Sequence, residues 1–253
     1  MNARISLPQG PNSRQVREEL ARPAAGGGRG RGRVPGRVPL VDTDVYKWLE
    51  AASAAAVDPG AFGRTGSRRG ADRRPGGRRA QQPDGYLNTW FQLVKGGERY
   101  KDLRWGHELY CAGHLIQAAV AIIRATGRPQ LLDVARKFAD HIDSVFGLPG
   151  SGKEIDGIDG HPEVETAMLE LGLPETGERR YLDLAGYFVD RFRSRSAGRR
   201  GVLPGPALPV READNVEGHA VRQLYLLAAA ADPGDRDRGR RDSGRRASGC
   251  GGR

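Results

Sequence analysis

The chain of 253 residues is poor in cysteine and in aromatic side chains, with only Cys111 and Cys250 and 6% aromatic residues. Two cysteines cannot form a disulfide framework or a multi-cysteine metal site, so we expect a cytoplasmic protein in a reducing environment. The sequence has no apolar run of roughly 18 residues and no apolar segment near its N-terminus. We therefore expect neither a membrane span nor a secretory signal.

Acidic residues are scarce in three basic segments. Residues 22–38 carry five arginines and no acid, residues 60–80 carry seven arginines and one aspartate, and residues 233–253 carry seven arginines and three aspartates. The net charge of these three segments together is +15. The whole chain has a net charge of +10, so the remaining residues have a net charge of −5. Only Phe62 adds an aromatic ring to them, whereas nucleic-acid binders interleave basic and aromatic residues. We expect no nucleic-acid partner.

Helical and strand periodicity is absent from the basic segments and from residues 193–206. They are interpreted either as disordered linkers or as out-of-frame translation of a GC-rich gene, which over-produces arginine, glycine, proline and alanine. The predicted domains are a disordered or aberrant segment at 1–39, a helical domain at 40–231 that is irregular at 60–80 and 193–206, and a disordered basic tail at 232–253.

The remaining sequence predicts helices and no strand, and hence an all-α protein. Asp42 or Thr43 is suited to cap a first helix, because a short polar side chain there accepts a hydrogen bond from the first turn. Apolar residues at helical spacing predict further helices at 107–125, 131–146, 162–172, 179–192 and 216–231.

An internal repeat indicates how these helices are arranged. Residues 125–141 and 175–191 match at an offset of 50 with seven identical pairs: Thr126/Thr176, Gly127/Gly177, Leu132/Leu182, Asp133/Asp183, Ala135/Ala185, Phe138/Phe188 and Asp140/Asp190. The pattern predicts a helix, a Thr-Gly turn that ends it, and a return helix with inward Leu, Ala and Phe. Repeated helical hairpins form either an open solenoid or a closed α/α toroid.

A Gly-His pair begins each of three predicted hairpins, at Gly106-His107, Gly160-His161 and Gly218-His219. If the hairpins close into a ring, His107, His161 and His219 converge on one mouth, where imidazoles bind a polar ligand. Recurrence at one structural position favours this role over a structural one. We expect structural roles for His114 and His141, and no metal on the three histidines.

A polar stretch, QQPDGYLNTW, supplies two more candidates for the site, Gln82 and Asp84. Amides and carboxylates beside aromatic rings are typical of carbohydrate sites, although an ordinary surface turn explains the same residues equally well. Cys111 is predicted to pack as a small apolar residue. Glutamates at 108, 163 and 165 fall in first turns of helices, where the helix dipole favours a carboxylate.

Seven blocks carry a family resemblance: DTDVYKWLEAA, QQPDGYLNTWF, HELYCAGHLIQAAVA, LLDVARKFADHIDSVFG, GHPEVETAML, TGERRYLDLAGYFVD and GHAVRQLYL. In this order they resemble glycoside hydrolase family 127, the β-L-arabinofuranosidase-like enzymes. The resemblance implies an (α/α)6 barrel followed by β-sandwich domains. It also implies release of L-arabinofuranose with retention, by a zinc-bound cysteine thiolate as nucleophile and a glutamate as acid/base.

The resemblance stops before the family's catalytic residues. Its acid/base glutamate and its cysteine–glutamate zinc cluster lie beyond the point at which this chain becomes DPGDRDRGRRDSGRRASGCGGR, and neither Cys111 nor Cys250 matches a zinc ligand. The resemblance thus implies a partial barrel, truncated and inactive alone, with the pocket histidines His107, His161 and His219 and a carbohydrate ligand, and with zinc only in the full-length family.

Two alternatives remain open: a non-catalytic helical-repeat binding module, and a neighbouring α/α-barrel family such as sugar epimerases or unsaturated uronyl hydrolases. The oligomeric state is not predicted.

Overall fold

The structure, a computed structural model, describes residues 39–57, 80–194 and 219–231. Its α-helices are α1 (Asp42–Val57), α2 (Thr89–Leu93), α3 (Glu108–Thr126), α4 (Gln130–Val145), α5 (Val164–Glu170), α6 (Arg179–Ser194) and α7 (Ala220–Ala231). A π-helical segment (Leu171–Thr176) follows α5 directly and ends at Gly177. Within these ranges the only β pairing is a single parallel bridge between Phe146 and Ile155. The described chain is therefore all-α, as predicted. Nearly all of the Arg/Gly/Pro-rich segments lie outside the described residues, so both interpretations of them stay predictions.

The first helix begins at Asp42, but its carboxylate does not cap α1. It accepts hydrogen bonds from the backbone N–H of Thr89, at 2.8 Å, and from the Thr89 hydroxyl. The side chain is buried, and this burial raises the pKa of Asp42. The Thr43 hydroxyl instead donates to the carbonyl of Leu40, at 2.8 Å. The predicted cap residue thus ties the start of α1 to the start of α2.

The Thr-Gly turns of the repeat are confirmed. Gly127 and Gly177 end their helical segments with φ of 70° and 72°, a left-handed conformation that glycine adopts without strain. In each turn the threonine hydroxyl donates to a carbonyl of the preceding turn and accepts from the N–H two residues later. The same local chemistry therefore reverses the chain twice.

Two layers of helices result from the hairpins α3/α4 and α5/α6. Helix α3 packs against α1 and α5, and the return helices α4 and α6 pack behind them and against each other. The repeated apolar residues fill the space between the layers and are buried: Ala135, Phe138, Ala185 and Phe188. Helix α7 continues the inner layer, since the Thr166 hydroxyl on α5 donates to the carbonyl of Tyr225, at 3.5 Å. The described helices form part of an α/α barrel.

One helix, α3, has the length and composition of a membrane span, with 19 residues and a mean hydropathy of 1.3. It is also the helix with packed neighbours on several sides, and its buried residues include Glu108 and His114. A central helix in a helical core is apolar on more than one face for this reason. We assign α3 to the core of the partial barrel.

Candidate functional site

The two Gly-His turns pack against each other at the N-terminal end of α3. The N–H of Gly160 donates to the carbonyl of Leu103, at 2.7 Å, and a β-carbon at Gly160 would lie 2.2 Å from the carbonyl oxygen of Arg104. A β-carbon at Gly106 would lie 2.5 Å from the carbonyl oxygen of Asp102. No side chain fits at either position. Glycine at 160 allows the second turn to approach the first, and glycine at 106 allows the first turn to close on the carbonyl of Asp102.

His107 and His161 form a stacked pair. Their ring centroids are 3.6 Å apart and the rings are inclined by 23°. The ring of Tyr110, one turn into α3, contacts both imidazoles edge-on at centroid distances of 5.8 Å and 6.1 Å. Two of the three predicted histidines therefore meet, with an aromatic residue beside them.

Hydrogen bonds fix the tautomer of each ring. The Nδ1 of His107 lies 2.5 Å from the carbonyl oxygen of Trp105, which can only accept, so this nitrogen carries the proton. The Nε2 of His161 lies 2.6 Å from a guanidinium nitrogen of Arg222, which can only donate, so His161 is neutral and protonated at Nδ1. Burial, followed by the neighbouring His161, lowers the pKa of His107. Two neutral imidazoles thus stand at the Gly-His end of the hairpins.

A single buried carboxylate, that of Asp159, connects the two turns. One oxygen accepts from the N–H groups of Leu109 and Tyr110, at 3.0 Å and 3.1 Å, and the other accepts from the N–H of His161, at 3.0 Å. The first two donors belong to the first turn of α3, where N–H groups have no partner within the helix. Asp159 therefore caps α3 from another segment of the chain and fixes His161 beside that helix.

A second buried carboxylate, that of Glu108, stabilises the strained segment before α3. It accepts from the Tyr86 hydroxyl and from the backbone N–H of Tyr100, the latter at 2.7 Å. Among the described residues, Tyr100 and His107 are the non-glycine residues with left-handed backbones, at φ of 57° and 56°. Such conformations cost about 1–3 kcal/mol each and concentrate at functional sites. Burial raises the pKa of Glu108 to about 7. Glu108 thus lies in the first turn of α3, as the helix-dipole argument expected, and it also accepts hydrogen bonds from two tyrosine residues.

The third predicted histidine, His219, lies immediately before α7 and is exposed. The α7 residue that reaches the stacked pair is Arg222, through its bond to His161. His107 and His219 directly precede their helices, whereas His161 lies three residues before α5, which begins at Val164 and not at 162 as predicted. Glu163, the residue immediately before α5, has a non-helical backbone, with φ of −172°.

Gln82 and Asp84 lie beside the outer helix α4. The backbone of Gln82 closes a tight turn with Gly85 and Tyr86, and Asp84 bonds Arg99, at 2.6 Å, and lies 3.8 Å from Nδ1 of His141 on α4. Tyr86 lies between this turn and the histidine pair. Its backbone N–H donates to the carboxylate of Asp84, and its hydroxyl donates to the carboxylate of Glu108, the residue after His107. The structure does not bring these two residues to the stacked histidines.

Sequence reasoning missed a polar pair between α3 and α5. Oε1 of Glu163 lies 3.1 Å from Nδ1 of His114, and both side chains are almost fully buried. Burial, together with the nearby Glu165, raises the pKa of Glu163 to about 9, and burial lowers the pKa of His114 to about 3. Both groups are therefore neutral near pH 7. The Lys47 amine donates to the Tyr110 hydroxyl, at 2.9 Å, so a polar stripe continues along the inner layer.

Comparison with known proteins identifies the family of this chain. The sequence profile of the β-L-arabinofuranosidase GH127 catalytic domain matches residues 18–239. The chain belongs to the GH127 family. It is 40% identical over 218 residues to a non-reducing end β-L-arabinofuranosidase from Bifidobacterium longum subsp. longum, a match that covers 76% of this chain and 32% of that protein.

Solved GH127 structures share the fold. A GH127 β-L-arabinofuranosidase from Geobacillus stearothermophilus T6 is 38% identical, with a TM-score of 0.69 over 89% of this chain and 37% of that one. A second GH127 β-arabinofuranosidase is 30% identical, with a TM-score of 0.68 over 88% of this chain and 35% of that one. This GH127 chain thus spans about a third of the length of these relatives.

The described residues of this GH127 chain do not fit the zinc–thiolate centre that the family resemblance implies. In the ranges 39–57, 80–194 and 219–231, no group of three His, Cys, Asp or Glu side chains could bind a metal ion. Cys111 is a buried free thiol 3.6 Å from the carbonyl of Pro39, and burial raises its pKa well above the usual value. A thiol in this setting remains protonated and is a poor nucleophile.

Proposed function

We propose that this chain carries the sugar-recognition part of a glycoside hydrolase that acts on L-arabinofuranosyl glycans, and that the residues which cleave the bond lie outside its described part. The observation that carries the proposal is the stacked pair of His107 and His161 with fixed tautomers. A neutral imidazole offers one donor and one acceptor, which suits sugar hydroxyls, and a buried ionic group would cost more to desolvate.

Family membership supports the choice of ligand. Two relatives that match most of this chain are described as β-L-arabinofuranosidases. The exposed ring of Trp105, next to His161 at a centroid distance of 6.1 Å, supports a carbohydrate ligand further, because the apolar face of a sugar packs on an aromatic ring. We include His219 in the proposed pocket because it begins the next Gly-His hairpin.

Isothermal titration calorimetry of the 253-residue chain with methyl β-L-arabinofuranoside tests this proposal. The wild-type chain is expected to bind, and His107→Ala and His161→Ala are each expected to weaken binding about tenfold, as the loss of one or two hydrogen bonds in a desolvated site does. His219→Ala tests whether the third histidine takes part.

His141→Gln is the matched control, because it removes an imidazole that belongs to the outer helix α4. Binding equal to that of the wild type is expected for this variant. If the wild-type chain unfolds cooperatively and yet does not bind the glycoside, the proposal is wrong. If the His141 and His107 variants lose the same binding affinity, the loss reflects a general destabilisation of the fold and does not identify a binding site.

A non-catalytic binding module is the second candidate, and the buried, protonated Cys111 supports it. Such a module binds the arabinofuranoside but releases no arabinose from para-nitrophenyl β-L-arabinofuranoside, with or without added zinc. Release by the purified chain would favour the hydrolase. We also propose a cytoplasmic location, which the free thiol supports and which cell fractionation tests.

A further inference from the structure

A large aromatic side chain is exposed beside the histidine pair. Trp105 retains 46% of its surface in contact with solvent, although its carbonyl accepts from His107 and its N–H donates to Asp102 at 3.1 Å. The backbone of Trp105 is therefore fixed while its indole ring faces outward. An exposed indole next to paired imidazoles is a surface on which a second ligand residue can stack.

Two arginines flank this indole ring. The guanidinium carbon of Arg104 lies 5.2 Å from the ring centroid, and that of Arg222 lies 5.8 Å from it. They come from different segments of the chain, since Arg104 precedes the first Gly-His turn and Arg222 belongs to α7. Two positive charges thus converge on one exposed ring.

These arginines differ from others in the described structure because neither has a carboxylate partner there. Five other arginines form ion pairs: Arg99 with Asp84, Arg124 with Glu175, Arg136 with Glu178, Arg180 with Asp140, and Arg191 with Asp156. The Nε groups of Arg104 and Arg222 have no acceptor among the described residues. Asp159 attracts the charge of Arg222, but its oxygens already accept three backbone N–H groups.

We propose that Trp105, Arg104 and Arg222 form a second subsite, which binds a carboxylate-bearing residue linked to the arabinofuranose. The linked residue stacks on the indole, and its carboxylate accepts hydrogen bonds from the guanidinium groups. Guanidinium and carboxylate match in geometry as well as in charge. The subsite rests on the proposed function, because it lies beside the pocket assigned to the arabinofuranose.

Two synthetic glycosides test the subsite, phenyl β-L-arabinofuranoside and para-carboxyphenyl β-L-arabinofuranoside. They differ only in the carboxylate, so the ratio of their dissociation constants isolates its contribution. Calorimetric titration of the 253-residue chain is expected to show that the carboxyphenyl glycoside binds about five- to tenfold more tightly at low salt, with the advantage reduced at high salt.

Arg104→Gln is the decisive variant. Gly160 packs against the backbone of Arg104 and not against its side chain, so the substitution preserves the approach of the two turns. The ratio is expected to fall to about two- or threefold, because Arg222 keeps one of the two positive charges. The matched control is Arg179→Gln, an exposed arginine at the start of α6, at the opposite end of the hairpin from His161. This control is expected to keep the wild-type ratio.

The outcomes separate the subsite from the pocket. If both glycosides bind with equal affinity to the wild-type chain, the subsite is wrong and the arabinofuranose pocket stands. The same conclusion follows if Arg104→Gln leaves the ratio unchanged. If neither glycoside binds, the pocket itself is wrong and the subsite is overturned with it. Trp105→Ala is expected to weaken both glycosides, because both lose the stacking surface.

Discussion

At the Thr-Gly end of the hairpins the polar groups are exposed and paired, whereas at the Gly-His end they are buried, and several have no hydrogen-bond partner among the described residues. The Thr-Gly end comprises Thr126-Gly127 and Thr176-Gly177 with the ion pairs around them. There, Arg124 and Arg136 bond Glu175 and Glu178, each at 2.5 Å, on the surface of the protein. Glycine takes each left-handed position, so the backbone turns without strain.

The Gly-His end comprises Gly106-His107 and Gly160-His161 with the residues that contact them. Here the left-handed positions fall on His107 and Tyr100, and both buried polar side chains of the pair Glu163 and His114 lack a well-aligned hydrogen bond. Unpaired buried groups and strained backbone lower stability, and proteins keep them where a ligand or a reaction uses them. The contrast supports the proposal that the Gly-His end binds the ligand, while the Thr-Gly end stabilises the hairpins.

The largest expected effect comes from removing the carboxylate that connects the two Gly-His turns. Asp159→Ala leaves the N–H groups of Leu109, Tyr110 and His161 without their acceptor in a buried setting. We expect a loss of about 3–5 kcal/mol in the free energy of unfolding, because each lost charge-assisted hydrogen bond costs about 1–3 kcal/mol and water compensates part of it. Urea unfolding followed by far-ultraviolet circular dichroism measures this loss.

Asp183→Ala is the control for this comparison, since Asp183 is exposed on α6 and forms a loose pair with Arg179, at 3.8 Å. We expect it to change the free energy of unfolding by less than about 0.5 kcal/mol. Similar losses for the two aspartates would remove the distinction between a connecting carboxylate and a surface one.

A pair of glycine substitutions gives the next largest effect. Gly160→Ala places a methyl group 2.2 Å from the Arg104 carbonyl oxygen, so the turns must separate. We expect a loss of about 1–3 kcal/mol in the free energy of unfolding, as for other overpacked sites, and weaker binding of methyl β-L-arabinofuranoside. Gly186→Ala, within α6, adds a methyl group with no neighbour within 4 Å. Because alanine favours helix, we expect this variant to gain about 0.5–1 kcal/mol. A loss at Gly186 equal to that at Gly160 would contradict the interpretation.

The Thr-Gly end was predictable from the sequence, and the Gly-His end was predictable only in part. A turn that is closed by its own threonine and glycine leaves a local signature, which repeats at an offset of 50 residues. The meeting of His107 with His161 also left a signature, in the recurrent Gly-His pairs. The connection that Asp159 makes left none, because two of the three N–H groups that it binds lie 49 and 50 residues earlier in the chain.

The polar stretch around Gln82 and Asp84 was harder to place. Its composition fits a sugar site, but composition does not determine which layer of helices a loop covers. Gly85 decides this, since its left-handed backbone, at φ of 90°, packs against the carbonyl of Lys137 on the outer helix α4. Helix-dipole reasoning likewise placed Glu163 at a helix start but could not show that α3 buries it completely.

The smallest expected effect is a pH dependence of the free energy of unfolding, caused by the buried carboxyl group of Glu163. The pKa of Glu163 is about 9 in the folded chain and about 4.5 when unfolded. Between these pH values the folded chain binds more protons than the unfolded chain does. The contribution of Glu163 to the free energy of unfolding is therefore fully present below pH 4.5 and is lost as the pH rises toward 9. Glu163→Gln keeps the shape of the side chain and removes this dependence.

Unfolding free energies of the wild-type chain and of Glu163→Gln, measured from about pH 6 to pH 8, test this sign. The wild-type chain should lose stability relative to the variant by up to about 1.4 kcal/mol per pH unit. Glu108 and Glu165, whose pKa values burial raises to about 7, lose stability over the same range in both proteins and cancel in the difference. Parallel curves would mean that water reaches Glu163, and the contrast between the two ends of the hairpins would then rest on the strained backbone and on Asp159 alone.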